Sequence, residues 1–314
     1  MANFKSVCPS CNSEFEVAEH QIGRVYSCKN CRQECIIPSQ RIDPGMIFGN
    51  YEIQYPLGAG ASGEVHLGKD VNGNKAAIKI LFPNEMEEMD IKRFLREARF
   101  TRSLDHDGII RLYDTGQLND LNYIIMEYVE GETLDVHLEK FGELSEYDAL
   151  KITRDVADVM AYVWREQKLV HRDIKPSNLM VSYDGVTKLM DLGIAKSMMY
   201  EMTQLTDPET IIGSPPYMSP EQCAPGKVLD FRADIYSLGC SLYQFVTNEY
   251  AFFADSPMST VRMQILEKFR DPREFIPGLS YECTALIYKM MAKSIKDRHH
   301  SWEELIVDID KIIT

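Results

Sequence analysis

The distribution of cysteines divides this chain into two parts that must be stabilised differently. Five of the eight cysteines lie in the first 35 residues, at Cys8, Cys11, Cys28, Cys31 and Cys35. Four of them form two Cys-x-x-Cys pairs with 16 residues between the pairs, and two such pairs can supply four thiolates to one tetrahedral Zn²⁺. Because so short a segment buries little apolar surface, metal binding would supply most of its folding free energy. The spacing therefore predicts a small zinc ribbon over residues 1–38, with Cys8, Cys11, Cys28 and Cys31 as ligands.

Other uses of these cysteines stay open. A redox-active disulfide pair, or thiols with no shared role, would fit the same spacing. Catalytic zinc is disfavoured, because four thiolates leave no coordination position for water. Cys35 is a fifth thiol that could compete for the metal, and we treat it as a spare. Alternating apolar residues such as Phe15 and Val17 indicate short strands between the pairs.

The residues after the ribbon carry all of the excess negative charge. The chain has a net charge of −14, whereas its first 50 residues hold five basic and five acidic side chains. An acidic main domain disfavours nucleic acid as a partner, because phosphate backbones need clustered Lys and Arg. With 314 residues and 45% apolar content, the chain can form one large domain beside the ribbon. Prolines and glycines over residues 39–50 predict a linker between the two.

Membrane and secretory segments are not indicated. No stretch approaches the roughly 18 consecutive apolar residues of a membrane helix. The nearest candidate, residues 235–246, is interrupted by serine, glycine and glutamine and predicts a buried helix. The N-terminus also lacks an apolar stretch of signal-peptide length. We therefore expect a cytoplasmic protein with no membrane segment.

A glycine-rich segment opens the large domain. It has the pattern G-x-G-x-x-G-x-V and comprises Leu57, Gly58, Gly60, Gly63 and Val65. Dinucleotide-binding folds use similar glycines, but a helix follows the glycines there. Here alternating residues, an Asn72-Gly73 turn and a second apolar run predict a β-hairpin instead. Such a hairpin would cover a nucleotide, with Lys79 on its return strand.

A helix is predicted over residues 89–103. Its buried face comprises Ile91, Phe94, Leu95 and Ala98. Glu97 flanks that face, and by itself it would be a solvated helix charge. With Lys79 present, Glu97 becomes the natural ion-pair partner that holds the lysine on the α- and β-phosphates.

Residues 171–178 read HRDIKPSN and match H-R-D-x-K-x-x-N at every fixed position. With this motif, residues 51–314 resemble the eukaryotic-like (Hanks-type) serine/threonine protein kinase family. The resemblance implies an α+β, two-lobed protein kinase fold preceded by the zinc ribbon. It implies a small β-rich N-lobe over about residues 51–128 and a larger helical C-lobe over about residues 129–314.

The resemblance also implies catalytic roles. Phosphoryl transfer needs an oriented hydroxyl, bound Mg²⁺ or Mn²⁺, and stabilised charge. Asp173 would accept the proton of the substrate hydroxyl and Lys175 would steady the γ-phosphate of ATP. Asn178 and Asp191 would bind the metal ion. Asp191-Leu192-Gly193 stands where the family has D-F-G, a departure that alters packing and leaves the ligand in place.

Residues 213–221, GSPPYMSPE, resemble the family motif G-T-x-x-Y-x-A/S-P-E. The resemblance implies that Ser214 pairs with Lys175, a combination that marks the serine/threonine branch. It further implies an ion pair between Glu221 and Arg298, and a brace from Asp234 to the catalytic loop.

An activation loop is implied between Asp191 and Glu221. Thr210 is its best-placed phosphorylation candidate, and Arg172 is the family's usual cation for such a phosphate. A loop threonine that is never modified is the alternative.

The adenine contacts are implied by the resemblance alone. Met126 would lie at the back of the pocket, and Glu127 and Val129 would offer backbone groups to the base. The ring would be sandwiched by Leu57, Val65, Ala77 and Met180.

Three functions compete at this stage. The first is an active kinase that uses ATP, Mg²⁺ and protein substrates, with the zinc ribbon for docking or regulation. The second is a pseudokinase scaffold, which would need a defect outside the chemistry because its catalytic residues are all present. The third is a nucleic-acid-binding ribbon, which zero net charge and few aromatic residues disfavour.

Overall fold

The structure is a computed structural model. It describes residues 3–8, 11, 13–18, 25–36, 42–60, 63–81, 102–118, 121–191, 213–224 and 229–314. The chain divides into two compact units, a first unit of residues 1–103 and 111–128 and a second unit of residues 104–110 and 129–314. No helix within the described ranges combines the length and the apolar character that a bilayer crossing requires.

Two small hairpins form the N-terminal part of the first unit. Strand β1 (Asn3–Val7) pairs antiparallel with β2 (Glu14–Ala18), and β3 (Val25–Ser27) pairs antiparallel with β4 (Glu34–Ile36). The turn of each hairpin contains one Cys-x-x-Cys pair. In the second hairpin the Cys28 N–H donates to the Gln33 carbonyl at 2.9 Å. The rings of Phe15 and Tyr26 stack 4.1 Å apart and connect the hairpins. The predicted short strands are confirmed.

A six-stranded antiparallel sheet forms the rest of the first unit, in the spatial order β5-β6-β7-β8-β10-β9. Its strands are β5 (Ile47–Phe48), β6 (Tyr51–Gly60), β7 (Gly63–Lys69), β8 (Lys75–Leu81), β9 (Leu112–Leu118) and β10 (Leu121–Glu127). The β7–β8 turn is closed by Asp70, whose Oδ1 accepts the N–H groups of Asn72 and Asn74 at 2.8 Å each. Gly73 supplies the positive φ of 83° that the turn requires. The hairpin predicted from Asn72-Gly73 is therefore confirmed.

The two faces of this sheet differ in character. Residues directly opposite one another on antiparallel strands share a face, and Lys79 lies opposite Val65 on one side and Ile124 on the other. The adjacent β8 residues, Ile78 and Ile80, therefore point to the other face. There they join the apolar core of the first unit, which also includes Ile42, Phe48, Ile53, Leu121, Tyr123 and Ile125.

Part of the predicted linker belongs to this core. Ile42 and Phe48 are fully buried, and Ile47–Phe48 adds a strand to the sheet edge. The predicted linker therefore contributes a strand and buried apolar side chains to the first unit. The domain boundaries 1–38, 39–50 and 51–314 stay predictions.

The second unit is mainly helical. Its helices are α1 (Leu134–Phe141), α2 (Glu146–Gln167), α3 (Phe231–Thr247), α4 (Pro257–Leu266), α5 (Tyr281–Met290) and α6 (Trp302–Ile313). A three-stranded antiparallel sheet is formed by β11 (Gly131–Thr133), β12 (Leu179–Ser182) and β13 (Thr187–Leu189). Helix α3 packs against α2 and α5, and its residues 235–246 are all buried, as the sequence predicted.

Candidate active site

The backbone of the HRDIKPSN loop in the second unit is hydrogen-bonded to the buried carboxylate of Asp234. Asp234 lies in the first turn of α3, and its two oxygens accept the N–H groups of His171 at 2.7 Å and Arg172 at 2.8 Å. These bonds fix a backbone in which Arg172 has a φ of 67°. Burial raises the pKa of Asp234 to about 7, whereas the two N–H groups favour its charged form. The brace expected from Asp234 is present.

Asp173 is the centre of a compact polar cluster. Its Oδ2 accepts a hydrogen bond from Asn178 Nδ2 at 2.9 Å and lies 3.1 Å from Lys175 Nζ. Its Oδ1 accepts a hydrogen bond from the Ser214 hydroxyl at 2.9 Å, and Lys175 Nζ donates to that same hydroxyl oxygen at 2.8 Å. The structure therefore brings Asp173, Lys175, Asn178 and Ser214 together at hydrogen-bonding distance.

The orientation of the Asn178 amide follows from these contacts. Its nitrogen also donates to the backbone carbonyl of Asp173 at 2.8 Å, so both amide hydrogens are directed at Asp173. The Asn178 Oδ1 is then the atom that can face a cation.

Asp191 follows β13 next to this cluster. Met190 donates its N–H to the Asn178 carbonyl at 2.9 Å, and the Met190 carbonyl lies 3.3 Å from His171 Nε2. Met190, which directly precedes Asp191, is therefore in contact with Asn178 and His171, and Asp191 itself has a φ of 42°. Carboxylate and amide oxygens suit Mg²⁺, so Asn178 and Asp191 fit the expected ligand pair.

A buried ion pair supports the segment that carries Ser214. Arg298 donates from Nη1 to Glu221 Oε1 at 2.6 Å and from Nη2 to Oε2 at 2.9 Å, and both side chains are almost fully buried. Arg298 Nε also donates to the Ala292 carbonyl at 2.7 Å. The expected pair between Glu221 and Arg298 is therefore present.

The remaining expected ATP contacts of the first unit lie on its sheet. Leu57, Gly58 and Gly60 are in β6, Gly63 and Val65 in β7, Ala77 and Lys79 in β8, and Met126 and Glu127 at the end of β10. Ala77 lies opposite Met126, on the face that also carries Lys79. Glu127 donates its N–H to the Arg111 carbonyl at 2.8 Å, so its own carbonyl is the group it can offer to a base. Val129 and Met180 belong to the second unit.

Two predicted site residues, Glu97 and Thr210, lie outside the described residues. The Cys35 side chain is likewise not described.

The four predicted zinc ligands of the ribbon converge. Their sulfur atoms all lie within 4.8 Å of one another. The Cys8–Cys31 and Cys11–Cys28 sulfurs are 3.6 Å and 3.7 Å apart. A Zn–S bond of about 2.3 Å in a tetrahedron gives an edge of about 3.8 Å, so this geometry fits Zn²⁺.

Sequence reasoning missed two polar groups around these sulfurs. The Ser13 hydroxyl lies 3.1 Å from Cys11 Sγ and 3.3 Å from Cys28 Sγ, and Asn30 Nδ2 donates to Cys11 Sγ at 3.5 Å. Hydrogen bonds from Ser13 and then Asn30 lower the pKa of Cys11, which favours its thiolate, whereas burial and the neighbouring sulfurs raise the pKa of Cys31 to about 12. Only the position of Ser13 two residues after Cys11 could have suggested this contact.

Sequence reasoning also missed Gln222 beside the catalytic loop. Its side-chain nitrogen donates to the Arg172 carbonyl at 3.0 Å, and its side-chain oxygen accepts from the Ser219 N–H at 3.0 Å. Gln222 thus connects the loop to the segment before Glu221.

Comparison with known proteins agrees with this geometry. Residues 51–307 match the family model of the protein kinase domain. The serine/threonine-protein kinase PknB of Mycobacterium leprae is 34% identical over 275 residues, which cover 86% of this chain and 44% of that protein. The probable serine/threonine-protein kinase SCO3848 of Streptomyces coelicolor is 35% identical over 274 residues, which cover 85% of this chain and 40% of that protein. The chain thus spans less than half the length of these relatives.

Proposed function

Because this chain belongs to the protein kinase family, we propose that it transfers the γ-phosphoryl group of ATP to serine or threonine hydroxyls of proteins. The observation that carries the proposal is the cluster of Asp173, Lys175, Asn178 and Ser214 around one carboxylate. Phosphoryl transfer requires mainly positioning and charge stabilisation from the protein, and this cluster supplies both.

Each side chain of the cluster has a distinct task. Asp173 is nearly buried and already accepts one hydroxyl proton donor, Ser214, so an acceptor hydroxyl can be oriented by the same carboxylate. The Lys175 ammonium, fixed between Asp173 and Ser214, would lie beside the transferred phosphoryl group and stabilise its charge. Lys79 would hold the α- and β-phosphates, with Glu97 as its partner.

Asn178 and Asp191 would hold Mg²⁺ or Mn²⁺ through oxygen atoms. When bound, the ion neutralises charge that develops on the phosphate oxygens. The role of the chain is to fix the Asn178 amide through two hydrogen bonds to Asp173, so that its oxygen faces the ion.

For the ribbon we propose one structural Zn²⁺ on Cys8, Cys11, Cys28 and Cys31 and a role in docking or regulation. The converging sulfurs and the polar contacts of Ser13 and Asn30 support a metal site. A nucleic-acid role has less support, because the first 50 residues have no net positive charge.

We also propose that phosphorylation of Thr210 regulates the activity. Arg172, next to Asp173 in the loop, would form charge-assisted hydrogen bonds with such a phosphate. The pseudokinase alternative has no support from the described site, where Lys79, Asp173, Asn178 and Asp191 are all present. A cytoplasmic location stays a prediction.

The proposed activity is tested by phosphate incorporation from labelled ATP with Mg²⁺. We expect Lys79→Met and Asp173→Asn each to lower the rate by roughly 100-fold or more, the scale of lost positioning or proton transfer. Lys69→Met and Asp184→Asn are matched controls, because they change an exposed strand lysine and an exposed turn aspartate elsewhere. Mass spectrometry of the wild-type product tests Thr210 in the same sample.

The folded state of each variant is checked by its thermal unfolding midpoint. Wild-type rates in either Lys79→Met or Asp173→Asn would contradict the proposed mechanism. No incorporation by the wild type, with ATP bound, would support the pseudokinase alternative instead.

A further inference from the structure

The turn that carries Ser214 borders the place where an acceptor hydroxyl must arrive. We call Ser214–Tyr217 the acceptor turn; its last three residues form a 3-10 helix. Because Ser214 Oγ and the acceptor hydroxyl would approach the same Asp173 carboxylate, the position of this turn affects the space left for the acceptor. This inference about the acceptor depends on the proposed kinase function.

A single side chain holds two consecutive carbonyls of the acceptor turn. Gln264 lies in α4 and is fully buried. Its Nε2 donates to the carbonyl of Pro215 at 3.1 Å and to the carbonyl of Pro216 at 2.8 Å. Pro215 and Pro216 have no backbone N–H to donate, so the Gln264 amide adds two hydrogen bonds to a turn in which the Pro215 carbonyl otherwise accepts only a 3.4 Å bond from the Met218 N–H among the described residues.

The orientation of Gln264 is fixed by a directional chain of hydrogen bonds. Lys293 Nζ can only donate, and it donates to the Tyr236 hydroxyl oxygen at 2.9 Å. The Tyr236 hydroxyl in turn donates to Gln264 Oε1 at 2.6 Å. Both hydrogens of the Gln264 amide are therefore available for the two proline carbonyls.

Lys293 also binds the backbone of Gln264. Its Nζ donates to the Gln264 carbonyl at 2.6 Å and lies 4.0 Å above the Phe252 ring. Lys293 is thus attached both to the helix that presents Gln264 and to the tyrosine that orients its amide. The side chains of Gln264, Tyr236 and Lys293 thus all have hydrogen-bond partners, the condition under which a buried network specifies one geometry.

We propose that Gln264, oriented by Tyr236 and Lys293, is a positioning residue that fixes the acceptor turn and thereby sets the affinity for the protein acceptor. It does not touch ATP or the reacting atoms. Loss of its amide removes the Gln264 hydrogen bonds to two partly buried carbonyls and leaves the Pro215 carbonyl with the longer, 3.4 Å bond from the Met218 N–H, so the turn shifts or opens. The defect should then appear in acceptor binding and leave ATP use intact.

Kinetics with a degenerate peptide library, in which each peptide has one central serine or threonine, tests this proposal. We expect Gln264→Met, which keeps the size of the side chain, to raise the KM for the peptides about tenfold. The KM for ATP and the acceptor-free hydrolysis of ATP should stay within about twofold of the wild type. Tyr236→Phe should raise the peptide KM by a smaller factor, because it frees the amide without removing it.

Thr153→Val is the matched control. It removes one buried hydrogen bond, from Thr153 Oγ1 to the Ala149 carbonyl at 2.7 Å, within α2 and away from the acceptor turn. It should lower the unfolding midpoint without changing the peptide KM. A merely structural role for Gln264 predicts that its variant behaves as this control does.

Hydrogen exchange gives a readout that needs no activity. The Tyr217 N–H donates to the Ser214 carbonyl at 2.9 Å inside the acceptor turn. We expect this amide to exchange faster in Gln264→Met and Tyr236→Phe, and at the wild-type rate in Thr153→Val.

An unchanged peptide KM and unchanged Tyr217 exchange in folded Gln264→Met or Tyr236→Phe would overturn the inference while the kinase proposal stands. An equal loss in peptide phosphorylation and acceptor-free hydrolysis would also overturn it. A wild type that phosphorylates none of the peptides would count against the proposed function, and this inference would fall with it.

Discussion

At the scale of single residues, burial of the pair of Glu221 and Arg298 determines how much each charge contributes to stability. Both carboxylate oxygens accept hydrogen bonds from the guanidinium, and both side chains are almost fully buried. Removing one partner leaves the other charge buried without the opposite charge that neutralises it. We expect Arg298→Met to lower the free energy of unfolding by roughly 3–5 kcal/mol in urea denaturation.

The exposed pair of Arg270 and Glu274, 3.1 Å apart on the surface, provides the comparison for that prediction. Arg270→Met should cost only about 0–1 kcal/mol, because water and salt screen the pair. The double variant Glu221→Met/Arg298→Met should be less destabilised than the sum of its single changes. Additive effects would contradict the idea that the two residues act as one unit.

The residues that sequence could predict are those whose motif fixes their surroundings. The surroundings of Asp173, Asn178 and Asp234 were implied by the resemblance of residues 171–178 to the kinase family, and the hydrogen bonds of these residues agree with it. Gln264 gave no such signal, because a glutamine in a short helix reads as a solvated side chain. It is buried only because other elements cover the α4 face that it shares with Thr260 and Val261.

At the scale of elements, the β6–β7–β8 strands depend on one glycine more than on another. Gly63 has a φ of 146°, and a Cβ there would collide with the Ile80 carbonyl of the neighbouring strand. A Cβ at Gly58 would meet no atom of the described residues within 4 Å. The two glycines belong to the same sequence pattern, but only Gly63 is required by the described backbone.

We therefore expect Gly63→Ala to lower the free energy of unfolding by about 2 kcal/mol or more, through backbone strain and displacement of β8 next to Lys79. Gly58→Ala should change it by less than about 1 kcal/mol. Urea unfolding of both variants measures the difference. Equal effects at the two positions would show that the strain is absent.

Elements differed in how far sequence could predict them. The β7–β8 hairpin was predictable, because Asn72-Gly73 provides the positive φ that its turn needs. Strand β5 was not, because Ile47–Phe48 is too short to show a period. The burial of Ile42 and Phe48 arises from the sheet they cover, a tertiary effect that local composition does not contain.

At the scale of the whole molecule, the two parts of the chain have different sources of stability. Among the ribbon residues whose burial is described, only Cys8 and Cys28 are buried. The sheet of the first unit and the helices of the second unit instead have extensive apolar interiors. If the cysteines bind zinc as proposed, folding of the ribbon should depend on the metal, whereas folding of the sheet and helices should depend on their apolar cores.

Metal removal should therefore separate the two parts. We expect a chelator to release about one Zn²⁺ per chain and to increase hydrogen exchange over residues 3–36, because the ribbon side chains whose burial is described bury only Cys8 and Cys28. Excess Mg²⁺ is then added to restore the ATP complex. Exchange over β6–β10 and peptide phosphorylation should stay within about twofold of the untreated protein, since their stability comes from burial. Cys8→Ser should reproduce the effect of the chelator, whereas Cys223→Ser, outside the cluster, should bind zinc normally. A ribbon that resists the chelator but opens with a thiol reductant would contradict zinc and indicate disulfides, which the sulfur spacings of 3.6 and 3.7 Å bring within reach of small movements.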